Sequence, residues 1–564
     1  MKTLRFVLVA ASLAAIPALA QPVVNAGGVV NAASFIPQSF PNSGIAQGSV
    51  FSIFGTGLGP AQFAQASSFP LPTNLAGSSV AVTVNGTTMN AILFYTRANQ
   101  INALMPSNTP IGTGTLTVTY NGKTSAPASV QVVANNVGIF TVASSGSGPG
   151  VLTNGNNQAN SFTLAANPGE ILNIWATGLG AISGPDDELP PTGNITANSP
   201  TVYVGGAQVT PAYHGRSGCC SGVDQIQIQI PQNVTGCNIP VAVQTGNTVS
   251  NFVSISVAAS GRTCSDALTG LSGTNFQQFF AKGSASIGTV ILQRSETTLT
   301  LPPPLGNGTP TLTTTDGGVA AFEKYSFSGT NINGSPFSFS NYGACSVFYY
   351  QASTGDTSGN PTGTYQFVDL DAGSPITING PNGTKTIPRS AAGAYFSTLG
   401  ADPDLTGAGP LYLSQGSYTI SGPGGANVGP FSVNVAVPTP LNWTNQSSID
   451  TVTRANGLPL QWTGGDPNGY VLIEGFSLTG PDTSNLSAGG FICMAKVSDQ
   501  HFTVPPVVLL SVPPSAVIQE SGFTFPTGNL SLVSETQPVS FTATGLDLGI
   551  ASSAVFISKP VTFQ

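Results

Sequence analysis

Charged residues are scarce in this sequence. Asp, Glu, Lys and Arg together make up 6% of the 564 residues, and only two histidines are present. Long solvent-facing helices usually carry Glu, Lys and Arg, so this composition favours exposed strands and turns instead. Gly and Pro are abundant, at 68 and 44 residues, but 40% of the chain is hydrophobic. That share, with so few charges, predicts folded cores rather than disorder.

Long hydrophobic runs are also missing beyond the first twenty residues. A short basic start at Met1–Arg5 is followed by an apolar run over residues 6–15 and by an A-x-A pattern, Ala18-Leu-Ala20. This order predicts a secretory signal peptide over residues 1–20. The alternative is a membrane anchor, but the run is short for a span of about 20 residues. We therefore expect an exported protein, extracellular or at the cell surface, with no transmembrane segment in the mature chain.

Basic residues are scarce in the mature chain. Removal of Lys2 and Arg5 leaves 12 of the 14 basic residues against 22 acidic ones, a net charge of −10. Nucleic acid and anionic lipid are therefore not expected partners. The Gly-rich stretches lack the Lys-Ser/Thr of a phosphate loop, so no nucleotide cofactor is expected.

A duplicated stretch organises the first half of the chain. Residues 48–60, GSVFSIFGTGLGP, return 121 residues later as 169–181, GEILNIWATGLGA. In each copy, alternating apolar residues meet a Gly-rich turn, which predicts a buried strand followed by a tight bend. The repetition predicts two duplicated domains and an all-β fold of tandem immunoglobulin-like β-sandwiches. The expected parts are a signal peptide (1–20), repeat 1 (21–143), repeat 2 (144–263), a β-rich domain (264–440) and a β-rich C-terminal domain (441–564), the last two sandwich-like.

Several ordered motifs carry a family resemblance. They include Val30-Asn-Ala-Ala-Ser-Phe35, Pro70-Leu-Pro-Thr73, Asn99-Gln-Ile-Asn102 and Thr248-Val-Ser-Asn251, together with the two Thr-Gly-Leu-Gly turns. Over residues 25–258 the chain resembles a family of secreted bacterial proteins whose domains are similar to IPT/TIG domains, an immunoglobulin-like β-sandwich. The resemblance implies this fold and an exported location, and it implies no reaction and no catalytic residues.

Six cysteines lie beyond the predicted cleavage point, and an even number in an oxidising compartment favours disulfides. They are Cys219, Cys220, Cys237, Cys264, Cys345 and Cys493. We expect two bridges within the first four and one between Cys345 and Cys493. The adjacent pair lies on an insertion, His214–Cys220, that only the second copy has. Zinc is the alternative, but no Cys-x-x-Cys spacing is present and only His214 lies nearby.

Catalytic patterns are sparse. A nucleophile needs a base within reach, and neither His214 nor His501 lies near a nucleophile-elbow sequence. Glycoside hydrolysis needs two carboxylates across a cleft. The candidate carboxylates are Asp186, Asp187 and Glu188, Asp369 and Asp371, Asp402 and Asp404, and Asp466 with Glu474. Of these, the stretch 186–188 lies between prolines, which favours a solvated loop.

Calcium and sugar are the remaining ligand candidates. Asp369-Leu-Asp371 or Asp402-Pro-Asp404 would offer carboxylate oxygens for calcium, whereas Asp466-Pro-Asn-Gly469 is typical of a hairpin turn. Trp175 stands where repeat 1 has Phe54, so we expect it in the core. Sugar-stacking candidates are Trp443 and Trp462, which have polar sequence neighbours and are expected at the surface, and Tyr349, Tyr350 and Tyr470.

Three functions follow from these patterns. The leading hypothesis is a non-enzymatic protein that acts in adhesion or scaffolding, with an extracellular or cell-surface protein or polysaccharide as its partner. The first alternative is polysaccharide binding through the exposed tryptophans. The second alternative is a secreted glycan-active hydrolase.

Overall fold

The fold was analysed in a computed structural model. It describes residues 21–195, 199–300, 310–326, 341–351, 366–391, 393–401, 409–480, 487–520 and 523–564. The predicted signal peptide, Asp402 and Asp404 lie outside the described residues. Within them the elements are strands apart from two α-helices and short 3-10 turns. The predicted all-β class is confirmed.

Repeat 1 is a sandwich of two sheets, in the strand orders β1-β3-β9-β8-β4 and β2-β12-β10-β6-β5, with β7 and β11 paired to β6 and β10. Its strands are β1 Val23–Asn31, β2 Ile45–Ala46, β3 Val50–Thr56, β4 Ala64–Gln65, β5 Asn74–Leu75, β6 Ser78–Val84, β7 Thr87–Asn90, β8 Ile92–Arg97, β9 Gln100–Leu104, β10 Gly112–Tyr120, β11 Lys123–Thr124 and β12 Ala128–Val133. Alternate residues of β6 point inward, so Val80 and Val82 meet Phe51 and Ile53 of the facing sheet in one core.

Repeat 2 has the same plan, with sheets β13-β15-β19-β18 and β17-β16-β20-β21. Its strands are β13 Gly138–Ile139, β14 Leu152–Thr153, β15 Ile171–Thr177, β16 Thr201–Val204, β17 Ala207–Val209, β18 Tyr213–Arg216, β19 Asp224–Gln229, β20 Gly236–Thr245, β21 Thr248–Val249 and β22 Val253–Val257. The duplicated stretches form β3 and β15, and each pairs with the strand of its Gln-Ile segment, β9 or β19. The two copies thus occupy equivalent places.

The rest of the chain begins with a helix, α1 Gly273–Lys282, which Ser272 caps through a capping box with Asn275. The remaining elements are β23 Ser284–Thr300, β24 Pro310–Ser326, β25 Ala344–Gln351, β26 Gln366–Asp369, β27 Ile376–Gly380, β28 Gly383–Ile387, β29 Tyr395–Ala401, β30 Gly416–Gly422, β31 Phe431–Val437, β32 Leu441–Trp443, β33 Thr451–Val452, β34 Leu458–Gly464, β35 Tyr470–Thr479, β36 Ser487–Lys496, β37 His501–Val504, α2 Pro506–Ser511, β38 Val517–Glu520, β39 Phe523–Pro526, β40 Gly528–Glu535, β41 Val539–Phe541 and β42 Leu548–Phe563.

One large sheet unites this C-terminal part. Its main path runs β25-β36-β35-β40-β42-β23-β24-β26. Strand β23 lies parallel to β42 from Ile287↔Leu548 to Thr297↔Ser558, so the boundary predicted at residue 440 does not separate two sheets. Two smaller sheets, β28-β27-β30-β31 and β32-β34-β37, pack on the large one around two cores. The bounds of the individual domains stay predictions.

The three parts are joined by buried contacts. Ala242 and Val249 of repeat 2 belong to the same hydrophobic core as Trp462 of the C-terminal part. From repeat 1, the ring of Phe40 packs edge-on against Tyr349, with centroids 4.9 Å apart. These contacts make the three parts one packed body.

The six cysteines form three pairs in the structure: Cys219–Cys220, Cys237–Cys264 and Cys345–Cys493. Cys345 and Cys493 are cross-strand neighbours of β25 and β36. Within the described ranges, the structure contains no helix with the length and apolar character that crossing a membrane requires.

Candidate functional site

A cleft between repeat 2 and the C-terminal part is the main candidate site. It has a volume of about 180 Å³, is open to solvent, and is lined by Tyr203, Gly206, Pro240, Ala242, Phe252, Gly343, Cys345, Phe502, Thr503, Pro505, Val507 and Val508. This volume is smaller than that of most small-molecule pockets, which often lie at domain interfaces, and it suits a single side chain. The cleft exists because strands β16 and β20 of repeat 2 approach β25, β37 and α2 without closing on them.

The side chains that line this cleft are mostly apolar, but polar atoms form about half of its surface. Tyr203, Phe252 and Phe502 are partly buried rings from three separate elements. The hydroxyl of Tyr203 donates to Gln244 Oε1 at 3.0 Å, and burial raises the pKa of Tyr203. Thr503 adds an exposed hydroxyl. None of the lining residues is charged, so the cleft suits an uncharged group.

A second recess, of about 40 Å³, lies between β23, β31 and β42. Its one charged lining residue is Arg294, whose Nε and Nη2 donate to the two carboxylate oxygens of Asp316 at 2.8 and 3.0 Å. Asp316 is fully buried. The guanidinium therefore has a structural partner, and we assign this recess no ligand.

The two predicted sugar-binding tryptophans are buried, so their expected surface location was wrong. Trp443 is 4% exposed and Trp462 is 1% exposed, and both lie in the core of the C-terminal part. The indole of Trp462 donates to the carbonyl oxygen of Val497 at 2.9 Å. The alternation Leu458, Leu460, Trp462 along β34 carried this signal, because all three share one face of the strand.

The other aromatic candidates also differ from expectation. Trp175 is only half-buried, because Ile174 and Ala176 point into the core and the residue between them points out. Its indole donates to Thr153 Oγ1 at 3.0 Å. Tyr470 is buried, burial raises the pKa of Tyr349 to about 12, and the side chain of Tyr350 lies outside the described residues.

The predicted carboxylate candidates are mostly engaged in structural contacts. Asp186 accepts hydrogen bonds from the amide of Ser107 at 2.6 Å and from its hydroxyl at 2.7 Å, so the loop at 186–188 joins the two repeats and is not simply solvated. Asp371 accepts from the amide of Gly373, and that hydrogen bond is the main reason why its pKa is lowered. Asp466 accepts from the amide of Asn468 at 3.0 Å, as a turn residue does.

Two carboxyls with raised pKa values lie on one face of the large sheet. Burial raises the pKa of Glu474 on β35 and of Glu535 on β40. The negative charge of Glu474 raises the pKa of Glu535 further. The carboxyl of Glu535 accepts from Ser552 Oγ. Glu474 was a candidate from the sequence, whereas nothing in the sequence pointed to Glu535.

The two histidines stand apart from any nucleophile in the described contacts. Burial lowers the pKa of His214, and its Nδ1 has no hydrogen-bond partner within the described residues. His501 is exposed, and its Nδ1 lies 2.8 Å from the carbonyl oxygen of Asp499. Among the described residues, no group of three or more His, Cys, Asp or Glu is placed to hold a metal ion.

A buried arginine links the two repeats. Arg216 on β18 forms an ion pair with Asp224, and both side chains are almost fully buried. Its Nη2 also donates to the carbonyl oxygens of Gly48 and Gly180, both at 2.8 Å. Beside it, Thr177 Oγ1 accepts from the amide of Val50 at 2.9 Å. We call these contacts the inter-repeat lock. No sequence pattern indicated them.

A second exposed feature is a pair of phenylalanines on the large sheet. Phe348 and Phe476 are 46% and 42% exposed and stand on either side of Gly490 in the sheet. A side chain at position 490 would clash, because a Cβ there would lie 2.5 Å from Phe348 Cζ. The neighbouring row on the same face carries Glu474 and Ser531. Exposed apolar groups beside polar ones often mark binding surfaces.

Comparison with known proteins gives no family assignment. No family model matches the chain, and no curated protein matches it in sequence. Solved structures show only weak similarity, as three examples illustrate. SGBP-B of the Bacteroides ovatus mixed-linkage glucan utilization locus, in complex with a mixed-linkage heptasaccharide, has a TM-score of 0.19 and 13% identity over 38% of this chain and 45% of that chain. The tetra-tandem repeat in the extending region of a large adhesion protein has a TM-score of 0.12 and 13% identity over 93% and 97%. Domains 5–6 of the S-layer protein SbsC have a TM-score of 0.15 and 12% identity over 42% and 98%.

These values limit what the comparison contributes. The chain spans less than half the length of the SGBP-B chain. All three TM-scores are far below the level at which two chains share an overall arrangement. The all-β assignment therefore rests on the strands and sheets described above.

Proposed function

We propose that this chain is an exported, non-enzymatic binding protein that acts in adhesion or scaffolding at the cell surface or in the extracellular space. In this proposal, residues 21–143 and 144–263 are the two IPT/TIG-like domains of the family that the sequence resembles. A fold of this kind does not fix a function, so the proposal depends on the surfaces that the packed body presents.

The observation that carries the proposal is the convergence of three aromatic rings on one open cleft between packed parts. Tyr203, Phe252 and Phe502 come from elements far apart in sequence. The shared core around Val249 and Trp462 holds repeat 2 against the C-terminal part and so fixes their spacing. A preformed cleft lowers the entropic cost of binding, since its walls need not be ordered by the ligand. An extracellular protein partner with an apolar anchor side chain fits this cleft.

The experiment measures retention of residues 21–564 on isolated cell envelopes, with the variant Thr503→Arg as the test. An arginine at this exposed edge would place a charge and a long side chain over the cleft. We expect retention to fall by about ten-fold or more, as blocking an anchor pocket does. Thr386→Arg, at an exposed position of β28, is the matched control. Equal retention of both variants and the parent protein would refute the role of the cleft.

Polysaccharide recognition is a second candidate function, on a different surface. Trp443 and Trp462, the candidates that the sequence offered for it, cannot contact a sugar chain because both are buried. The observation that favours it now is the pair of exposed rings, Phe348 and Phe476, beside the polar row with Glu474. Aromatic rings next to a few polar groups suit a sugar chain.

We do not propose the hydrolase alternative. Glu474 and Glu535 would be its carboxyl pair, but Glu535 accepts hydrogen bonds from Ser552 and Tyr470, and the burial that raises its pKa keeps it inside the sheet face. A structural role accounts for these contacts.

A further inference from the structure

The loop over residues 217–223 carries the disulfide Cys219–Cys220, which joins adjacent residues. It lies between Arg216 and Asp224, the two charged residues of the inter-repeat lock. We propose that this disulfide is a redox-active site, which an extracellular dithiol opens while the other two disulfides stay closed, and that its opening loosens the inter-repeat lock. This inference is independent of the proposed function.

Stabilisation of the fold does not account for this bridge. A disulfide stabilises a protein mainly by closing a loop of the unfolded chain, and the effect grows with loop length. Cys237–Cys264 and Cys345–Cys493 span 27 and 148 residues, whereas Cys219–Cys220 spans one. The adjacent pair therefore constrains the unfolded chain least of the three.

The three disulfides also differ in solvent exposure. Cys237, Cys264, Cys345 and Cys493 are 1%, 1%, 5% and 0% exposed, whereas Cys219 and Cys220 are both exposed. Thiol–disulfide exchange requires an attacking thiolate to reach a sulfur atom. In the folded protein the adjacent pair is therefore the most accessible of the three to a dithiol in solution, since Cys345 lines the open cleft but is only 5% exposed.

The neighbouring serine gives the reaction a direction. Ser217 Oγ lies 3.3 Å from Cys219 Sγ, so its hydroxyl can donate to a thiolate at that sulfur. A thiolate of the dithiol attacks Cys220 Sγ, forms a mixed disulfide, and the electron pair of the broken S–S bond goes to Cys219 Sγ. The second thiolate of the dithiol then closes its own disulfide and releases Cys220. The protein gains two electrons and two protons, and the dithiol is oxidised.

The loop also makes contacts that reach the lock. Gly222 packs on repeat 1, where a Cβ would lie 2.6 Å from Leu104 Cδ1 and 2.8 Å from Val50 Cγ2. Its carbonyl oxygen accepts from Thr177 Oγ1 at 2.6 Å, and that same Oγ1 accepts from the amide of Val50. Opening the ring gives the 217–223 loop more freedom, so we expect the Val50 amide to lose protection.

The test is graded reduction of the mature protein with dithiothreitol. Open thiols are first labelled with iodoacetamide, and the remaining cysteines are labelled with N-ethylmaleimide after unfolding and full reduction. Peptide mapping should find the first label on Cys219 and Cys220 at a rate more than about ten-fold above that of Cys237 and Cys345. Equal rates, or the absence of a Cys219–Cys220 bridge before reduction, would overturn the proposal.

Two variants test the remaining steps. Ser217→Ala should slow the opening of the disulfide, since it removes the donor to the leaving sulfur. Ser260→Ala, at an exposed serine near Cys264, is the control and should leave the rate unchanged. An unchanged rate in Ser217→Ala would overturn the assignment of Cys219 as the leaving sulfur. Hydrogen exchange of the Val50 amide should accelerate on reduction. It should not respond to dithiothreitol in the double variant Cys219→Ser/Cys220→Ser. An unchanged Val50 exchange rate in the reduced parent protein would refute the coupling to the lock.

Discussion

Arg216 Nη2 donates a hydrogen bond of 2.8 Å to the carbonyl oxygen of Gly48, 168 residues earlier in the chain. Gly48 opens the first copy of the duplicated stretch, and Gly180, which accepts a second bond from the same nitrogen, belongs to the second copy. One side chain on the insertion thus ties the two copies of the motif together. Its position between two backbones, with Asp224 as its counter-ion, makes the contact sensitive to substitution.

We predict that Arg216→Met lowers the stability of the repeat pair by about 3–5 kcal/mol, because it leaves the buried carboxylate of Asp224 without its cation. The double variant Arg216→Met/Asp224→Asn should recover part of the loss, since an amide oxygen can still accept from the amide of Leu179. Urea unfolding monitored by circular dichroism measures both.

The control for this prediction is Arg262→Met. Arg262 pairs with Glu170 at the surface and is 47% exposed, so its loss should cost at most about 1 kcal/mol. If Arg216→Met is no more destabilised than Arg262→Met, then Arg216 does not hold the repeats together.

Trp462→Ala should destabilise the C-terminal part by about 3–5 kcal/mol, because the variant leaves a large cavity in its core. It also leaves the carbonyl oxygen of Val497 without its indole donor. The thermal midpoint of the transition that involves this core is the measurement. A midpoint equal to that of the parent protein would show that Trp462 is not buried, and would revive it as a ligand-binding residue.

The raised pKa of Glu535 predicts that the stability of the folded protein depends on pH. Burial raises its pKa in the folded protein above the unfolded value, so the folded state binds its proton more tightly. The resulting stabilisation is complete below the unfolded pKa of about 4.3 and is lost as the pH rises through the folded pKa. Glu535→Gln mimics the protonated form. Its thermal midpoint, relative to that of the parent protein, should therefore rise between pH 4 and pH 8.

Glu188→Gln, at an exposed glutamate, controls for the loss of one negative charge. A constant difference between Glu535→Gln and the parent protein across this pH range would contradict the raised pKa.

Local patterns are sufficient to predict several features of this fold. Strand β19 has Ile226 and Ile228 buried and Gln225 turned outward to Asn173, as strict alternation requires. The turn at Asn121-Gly122 has φ values of 49° and 80°, which suit a tight hairpin between β10 and β11. Each of these features is decided by residues a few positions apart.

Pairings between distant strands were not predictable in the same way. Strand β23 pairs with β42 although Thr297 and Ser558 are 261 residues apart, and no periodicity in either strand identifies its partner. Trp443 lies on the same strand face as Leu441, and this alternation indicated a buried position. The polar neighbours of Trp443 in the sequence led instead to the prediction of a surface position. The contact that Arg216 makes between the repeats had no signal in the sequence, because its acceptors there, Gly48 and Gly180, are backbone carbonyls.

The last prediction concerns the aromatic face of the large sheet. If a polysaccharide chain binds there, the double variant Phe348→Ala/Phe476→Ala should lose retention on an insoluble glycan by about 30-fold, which corresponds to ~2 kcal/mol for removing aromatic anchors. Its stability should change little, because both rings are more than 40% exposed. Phe63→Ala, in repeat 1 at 58% exposure, is the matched control.

Retention that falls equally in both variants would indicate non-specific adsorption, and retention unchanged in the double variant would refute a glycan site on this face. Loss of retention in the double variant alone, with Thr503→Arg unaffected, would separate a glycan surface from the cleft between repeat 2 and the C-terminal part, because the two features have no residue in common.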